Sequence, residues 1–138
     1  MSKYVIETKN LTKQYGTQKS VADLNIHVRQ GRIYGLLGRN GAGKTTTMKM
    51  LLGLAQPTSG EVTMWGKPLR TNEKKLLPRI GSLIESPGFY PNLTATENLH
   101  IFATLRGVPN RNAIKNALDL VGLPYKDKKL FSQYSLGM

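Results

Sequence analysis

The chain has 138 residues, about one domain's length, and 39% of them are hydrophobic, enough for a packed core. It has no cysteine, which excludes a disulfide framework and a thiolate metal site. The longest helix-like apolar stretch, residues 48–55, falls far short of the ~20 residues that a bilayer crossing takes, and the N-terminus lacks a signal peptide's apolar core. A net charge of +12, from 20 Lys+Arg against 8 Asp+Glu, suits nucleic acid, anionic lipid or a polyanionic ligand. The bases are spread out, with short clusters at 70–75 and 126–129 and no interleaved aromatics, so no nucleic-acid partner is expected.

In chain order, residues 4–8 and 20–28 read as strands, the second with Leu24, Ile26 and Val28 alternating with polar neighbours. Gln30-Gly31 is a turn. The run Ile33-Tyr34-Gly35-Leu36-Leu37 is apolar on both faces, as in a strand buried in a mainly parallel sheet. A helix is expected from near Gly43 to about Gly53, with Met48, Leu51 and Leu52 at helical spacing. Residues 56–60 form a loop, 61–65 a strand, 74–77 a short helix stopped by Pro78, and 80–84 a further short apolar strand. Ser86-Pro87-Gly88 breaks the chain. Thr94 and Glu97 have the three-residue spacing of a capping box and open a helix with Leu99, Phe102 and Ala103 on its apolar side, ending near Gly107. Pro109-Asn110 is a turn. Ile114, Ala117, Leu118 and Val121 make an amphipathic stripe closed by Gly122 and Pro124. The chain thus divides into a β-rich part, 1–86, and a helical part, 87–138.

The chemistry concentrates in Gly38-Arg39-Asn40-Gly41-Ala42-Gly43-Lys44-Thr45, which fits G-x-x-x-x-G-K-[ST] between an apolar run of strand length and a helix. Glycines at 38, 41 and 43 let successive N–H groups turn inward around phosphate oxygens. The helix that follows aims its positive end at the same anion. Lys44 adds a charge for the β- and γ-phosphates, and Thr45 offers a hydroxyl to Mg²⁺. A nucleoside triphosphate is the expected ligand.

The loop, extended to Thr46, resembles that of ATP-binding subunits of ABC transporters. Further segments agree in order: Leu11-Thr12-Lys13-Gln14-Tyr15-Gly16, Pro57-Thr58-Ser59-Gly60-Glu61-Val62, Leu93-Thr94-Ala95-Thr96-Glu97-Asn98-Leu99 and Tyr134-Ser135-Leu136-Gly137-Met138. The resemblance implies an α/β P-loop NTPase fold: a RecA-like core with an N-terminal antiparallel β subdomain and the start of a helical subdomain. It implies ATP and Mg²⁺ as cofactors, with Gly38, Arg39, Asn40, Gly41, Ala42, Gly43, Lys44, Thr45 and Thr46 around the phosphates. Tyr15 would stack on adenine, though an ordinary aromatic at a strand end is the alternative. Ser135 and Gly137 would meet ATP held by a second copy, with Leu136 and Met138 departing from the usual signature and the following helix absent.

Glu85 falls where most of the family carries a glutamine that touches Mg²⁺ and the attacking water. A carboxylate is a stronger ligand for a hard cation than an amide. Glu85 is therefore expected, with Thr45, to ligate Mg²⁺ and, with Lys44, to serve catalysis; a solvated loop acid is the alternative. Together with the Ser-Leu-Gly-Met variant it looks most like subunits that serve bacitracin or lantibiotic resistance and immunity. Phe89 and Tyr90 stand where the family docks its membrane subunit, or else pack the base of the helical part. His27 and His100 receive no role.

The family's apolar strand ending in Asp-Glu and its downstream histidine are not found after the loop. The chain is expected to be an N-terminal fragment of a subunit of roughly 200–300 residues, to bind nucleotide and to turn it over little. The strand at 33–37 would then lack a neighbour, an aggregation liability. The implied partners are membrane-spanning transporter subunits and a second nucleotide-binding copy, and the implied place is the cytoplasmic face of the membrane. The alternatives are a soluble ABC-type ATPase acting on nucleic acid or ribosomes, and a small-molecule kinase, which would lack the Tyr15-Gly16 and Ser-Leu-Gly-Met segments.

Overall fold

The computed structural model describes residues 3–108 and 111–138. The turn expected at Pro109-Asn110 lies outside them. The chain separates into two units, Met1–Glu85 and Ser86–Met138.

The first unit is built on an antiparallel sheet. Strand β1 (Tyr4–Tyr15) is paired along both edges: with β2 (Gln18–Leu24) and β3 (His27–Arg29) on one side, and with β4 (Ser59–Met64) on the other, beyond which lies the short β5 (Lys67–Pro68). The segment expected as one strand over 20–28 is two. Asp23 sits at φ 46, and the chain turns through Asn25 and Ile26. The buried Thr8 bridges the break: its Oγ1 donates to the Leu24 carbonyl at 2.8 Å and accepts from the Ile26 N–H at 2.9 Å. Asn25 fastens the outer side, its amide donating to Asn10 Oδ1 at 3.1 Å and its Oδ1 accepting from the Asn10 N–H at 3.0 Å.

Helix α1 (Lys44–Leu51) and helix α2 (Leu69–Leu76) contribute to the core, in which Leu11, Val21, Met50, Val62, Met64, Leu69 and Leu76 are buried together. Each such side chain contributes about 1.5–3 kcal/mol when fully withdrawn from water. After α2, residues Leu77–Arg79 form a 3₁₀ turn containing Pro78. The guanidinium of Arg79 lies 3.9 Å from the centre of the Trp65 ring, a cation–π contact, and Trp65 packs against this core.

Two sequence expectations are corrected here. Residues 33–37 and 80–84 form no strand. Ile33 and Leu37 are fully or almost fully exposed, at 103% and 94%, and Leu83 is also exposed. Their apolar composition is that of buried strands, but a strand is stabilised only by a hydrogen-bonded neighbour. Among the described residues no segment pairs with either. The sheet that does form is antiparallel, made by segments next to one another in the chain and by β4.

The second unit holds helices α3 (Ala95–Leu105) and α4 (Arg111–Leu120) and a closing 3₁₀ turn at Phe131–Gln133. The capping box is formed as expected. Thr94 Oγ1 accepts from the Glu97 N–H at 3.2 Å, and the Glu97 carboxylate accepts from the Thr94 N–H at 2.8 Å. The Thr94 N–H and then the Thr94 hydroxyl, which also donates to the Glu97 carboxylate at 3.0 Å, hold that carboxyl below its ordinary pKa. Ile114 and Leu118 of the predicted stripe are buried. Phe89 packs edge-on against Phe102 at 5.1 Å and Phe131 at 5.2 Å, which is the packing alternative for that residue, whereas Tyr90 is exposed.

Candidate functional site

Residues 38–43 run without regular structure into the first turn of α1. Gly43 caps that helix at φ 91, and Gly41 precedes it at φ 81. No side chain caps the helix, so its first N–H groups are left for a ligand. Gly43 is required for two reasons. Its backbone angle is one that residues with a Cβ seldom adopt, and a Cβ there would overlap the carbonyl oxygen of Ser20 and stand 3.0 Å from Val21 Cγ2. The loop is therefore pressed directly onto β2.

This packing leaves an open pocket of about 360 Å³ lined by Ser20, Asn40, Gly41, Gly43, Lys44, Thr45 and Thr46. The hydroxyls of Thr45 and Thr46 hold no hydrogen bond among the described residues. By contrast Thr47, one position further, is buried and folds its hydroxyl back onto the Gly43 carbonyl at 2.9 Å. Lys44 donates to two loop carbonyls, those of Gly38 and Arg39, the second at 2.7 Å. The Ala42 N–H donates to the Arg39 carbonyl at 3.1 Å, which tightens the same turn. The donor set is one ammonium, two free hydroxyls and a helix start, and it fits a phosphate chain and a hard cation beside it.

Tyr15 ends β1 and is half exposed, with the Lys13 ammonium 5.0 Å from its ring centre. It pairs with Gln18 in the hairpin whose second strand supplies Ser20 to the pocket. Lys13 is itself held by the Gln56 carbonyl at 2.6 Å. Glu85 has φ 63, and its carboxylate lies 3.6 Å from the ammonium of Lys49. Lys49 is one helical turn along α1 from Thr45, on the same face. Ser135 and Gly137 belong to the second unit, where Ser135 accepts the Met138 N–H through its carbonyl at 3.1 Å and its hydroxyl at 3.3 Å. No group of three or more His, Cys, Asp or Glu gathers to hold a metal among the described residues.

Ser20 and Lys49 lie outside the sequence expectation. Ser20 meets the loop through its backbone, which no side-chain pattern announces. The sequence signal for Lys49 is its place four positions after Thr45 on a predicted helix.

A family model described as "ABC transporter" matches residues 21–138, most of the chain. The chain belongs to the ABC transporter family. Among ABC proteins it is similar to the bacitracin transport ATP-binding protein BcrA of Bacillus licheniformis, 58% identical over 134 residues, covering 97% of this chain and 44% of that protein. It is also similar to the lantibiotic transport ATP-binding protein SrtF of Streptococcus pyogenes, 40% identical over 97% of this chain and 57% of that protein. The chain thus spans about half the length of these relatives. Its fold is that of cbiO1 from Clostridium perfringens, part of the ABC transporter complex cbiONQ, with a TM-score of 0.80 at 23% identity over 99% of this chain and 57% of that one. The α/β P-loop NTPase class read from the sequence is therefore correct. No helix among the described residues is long and apolar enough to cross a membrane.

Proposed function

We propose that this chain is the ATP-binding part of an ABC transporter subunit that powers export of, or protection against, a small antimicrobial peptide such as bacitracin or a lantibiotic. The observation that carries the nucleotide part is the seating of Gly43 on β2, which opens the pocket and presents Lys44, Thr45 and the start of α1 to it together. The peptide part is supported by the 58% identity to a bacitracin transport protein.

In this reading the β- and γ-phosphates displace the Gly38 and Arg39 carbonyls from the Lys44 ammonium and take the first N–H groups of α1. Tyr15 stacks on adenine. Thr45 and Glu85 would hold Mg²⁺, which would supply positive charge to the phosphate oxygens. Ser135 and Gly137 contact the nucleotide of a second copy, and membrane-spanning subunits hold the assembly at the cytoplasmic face. In the same reading these 138 residues bind ATP and hydrolyse it slowly.

The test is calorimetry of Mg·ATP binding to the purified protein and to Lys44→Ala. Binding that needs the lysine is expected. No binding, or binding indifferent to Lys44→Ala, would remove the proposal.

A further inference from the structure

The Lys49–Glu85 pair places an ammonium and a carboxylate on the α1 face that carries Thr45. Side-chain exposures of 42% and 66% leave both groups largely in water. A pair this exposed adds little to stability, so either partner can be exchanged at small cost. Glu85 also holds a left-handed backbone, φ 63, uncommon for a residue with a Cβ and mildly strained. That conformation fixes where its side chain starts, next to the helix. Under the reading of Glu85 as a Mg²⁺ ligand, its carboxylate answers to two cations, the Lys49 ammonium at 3.6 Å and the metal, and the divalent charge attracts it more strongly.

We infer that Lys49 is a positioning residue for Glu85: it holds the carboxylate beside α1 while no metal is bound and yields it when Mg²⁺ enters with the nucleotide. The inference rests on the reading of Glu85 as a Mg²⁺ ligand. Lys49 touches neither metal nor nucleotide in this scheme. Its effect is to set how much Mg²⁺ is needed before the nucleotide is held firmly, and to keep a negative side chain from meeting an unshielded γ-phosphate.

The experiment is equilibrium binding of a fluorescent ATP analogue as Mg²⁺ is titrated. It uses the purified wild-type protein, Lys49→Gln, Lys49→Arg, Glu85→Gln and the double variant Lys49→Gln/Glu85→Gln, with circular dichroism to confirm folding and Lys49→Met in reserve. Lys49→Gln should lower the half-saturating Mg²⁺ concentration about two- to fivefold, the range of an exposed pair. Lys49→Arg should behave as wild type. In the Glu85→Gln background the change at Lys49 should do nothing. A Lys49→Gln shift that persists in that background means the ammonium acts on the metal directly, and overturns the inference. So does no shift at all, provided Glu85→Gln alone raises the Mg²⁺ requirement; the metal reading of Glu85 then survives. If Glu85→Gln leaves the requirement unchanged, that reading falls and the inference with it.

Discussion

Gly43 and Ser20 meet with no room for a side chain between them: any Cβ at 43 would penetrate the Ser20 carbonyl. Ser20 offers backbone at that point, so it has no rotamer through which to retreat. Gly43→Ala should therefore lift the loop from β2. The expected cost is at least the ~1 kcal/mol of a strained left-handed alanine, with nucleotide binding lost. Thermal melts and calorimetry on the variant would check this. A variant that binds as wild type would show that the loop does not depend on this seat.

Lys44→Ala removes the donor to two loop carbonyls and, under the proposed function, the charge for the phosphates. Hydrogen bonds to charged groups contribute about 1.5–3 kcal/mol, so Mg·ATP affinity should fall roughly ten- to a hundredfold or more. The melting temperature should move little, because the loop is exposed. Equilibrium binding beside a melt separates the two effects.

Asn98 is 1% exposed and ties a turn to its helix. Its Oδ1 accepts from the Tyr90 N–H at 2.7 Å, and its Nδ2 donates to the carbonyls of Tyr90 at 3.0 Å and Thr94 at 3.1 Å. Asn98→Leu would strand these groups without water, at about 1–3 kcal/mol. Urea unfolding followed by circular dichroism should show the loss, and Asn98→Asp should not restore it, since a carboxylate cannot donate to the carbonyls.

The capping box at Thr94 and Glu97 gives a pH signature. The Glu97 carboxyl is held below its ordinary pKa by the Thr94 N–H and then by the Thr94 hydroxyl. A depressed folded value means that the contribution is present above the ordinary glutamate range and is lost as pH falls through and below it. Acid melts of wild type should therefore lose part of their stability that Thr94→Ala, already lower by about 1 kcal/mol at neutral pH, has no more to lose. Parallel acid dependence in both proteins would contradict this.

The features legible in the sequence are those written locally. The glycine-rich turn that caps α1 is written within eight residues, and the capping box needs two side chains three apart. The stripe containing Ile114 and Leu118 follows from helical period alone. The misread segments are those whose state depends on a partner far along the chain. Residues 33–37 have strand composition, yet a strand exists only as half of a pair. The break between β2 and β3 depends on Thr8, about sixteen residues away, whose hydroxyl substitutes for a missing ladder bond. Asn98 reads as a mid-helix polar residue, and only the turn at Tyr90 folding over it makes it a buried clamp. The position of Glu85 is legible in the sequence, but its ammonium neighbour comes from the packing of a loop against α1.

Lys44 already spends two of its donors on its own loop. Under the proposed function, nucleotide docking is then a trade of carbonyl for phosphate at one nitrogen rather than the capture of an idle charge. The measured heat would be the small residue of two large and opposite quantities, and dense inorganic anions should be able to begin the same swap without any base or sugar.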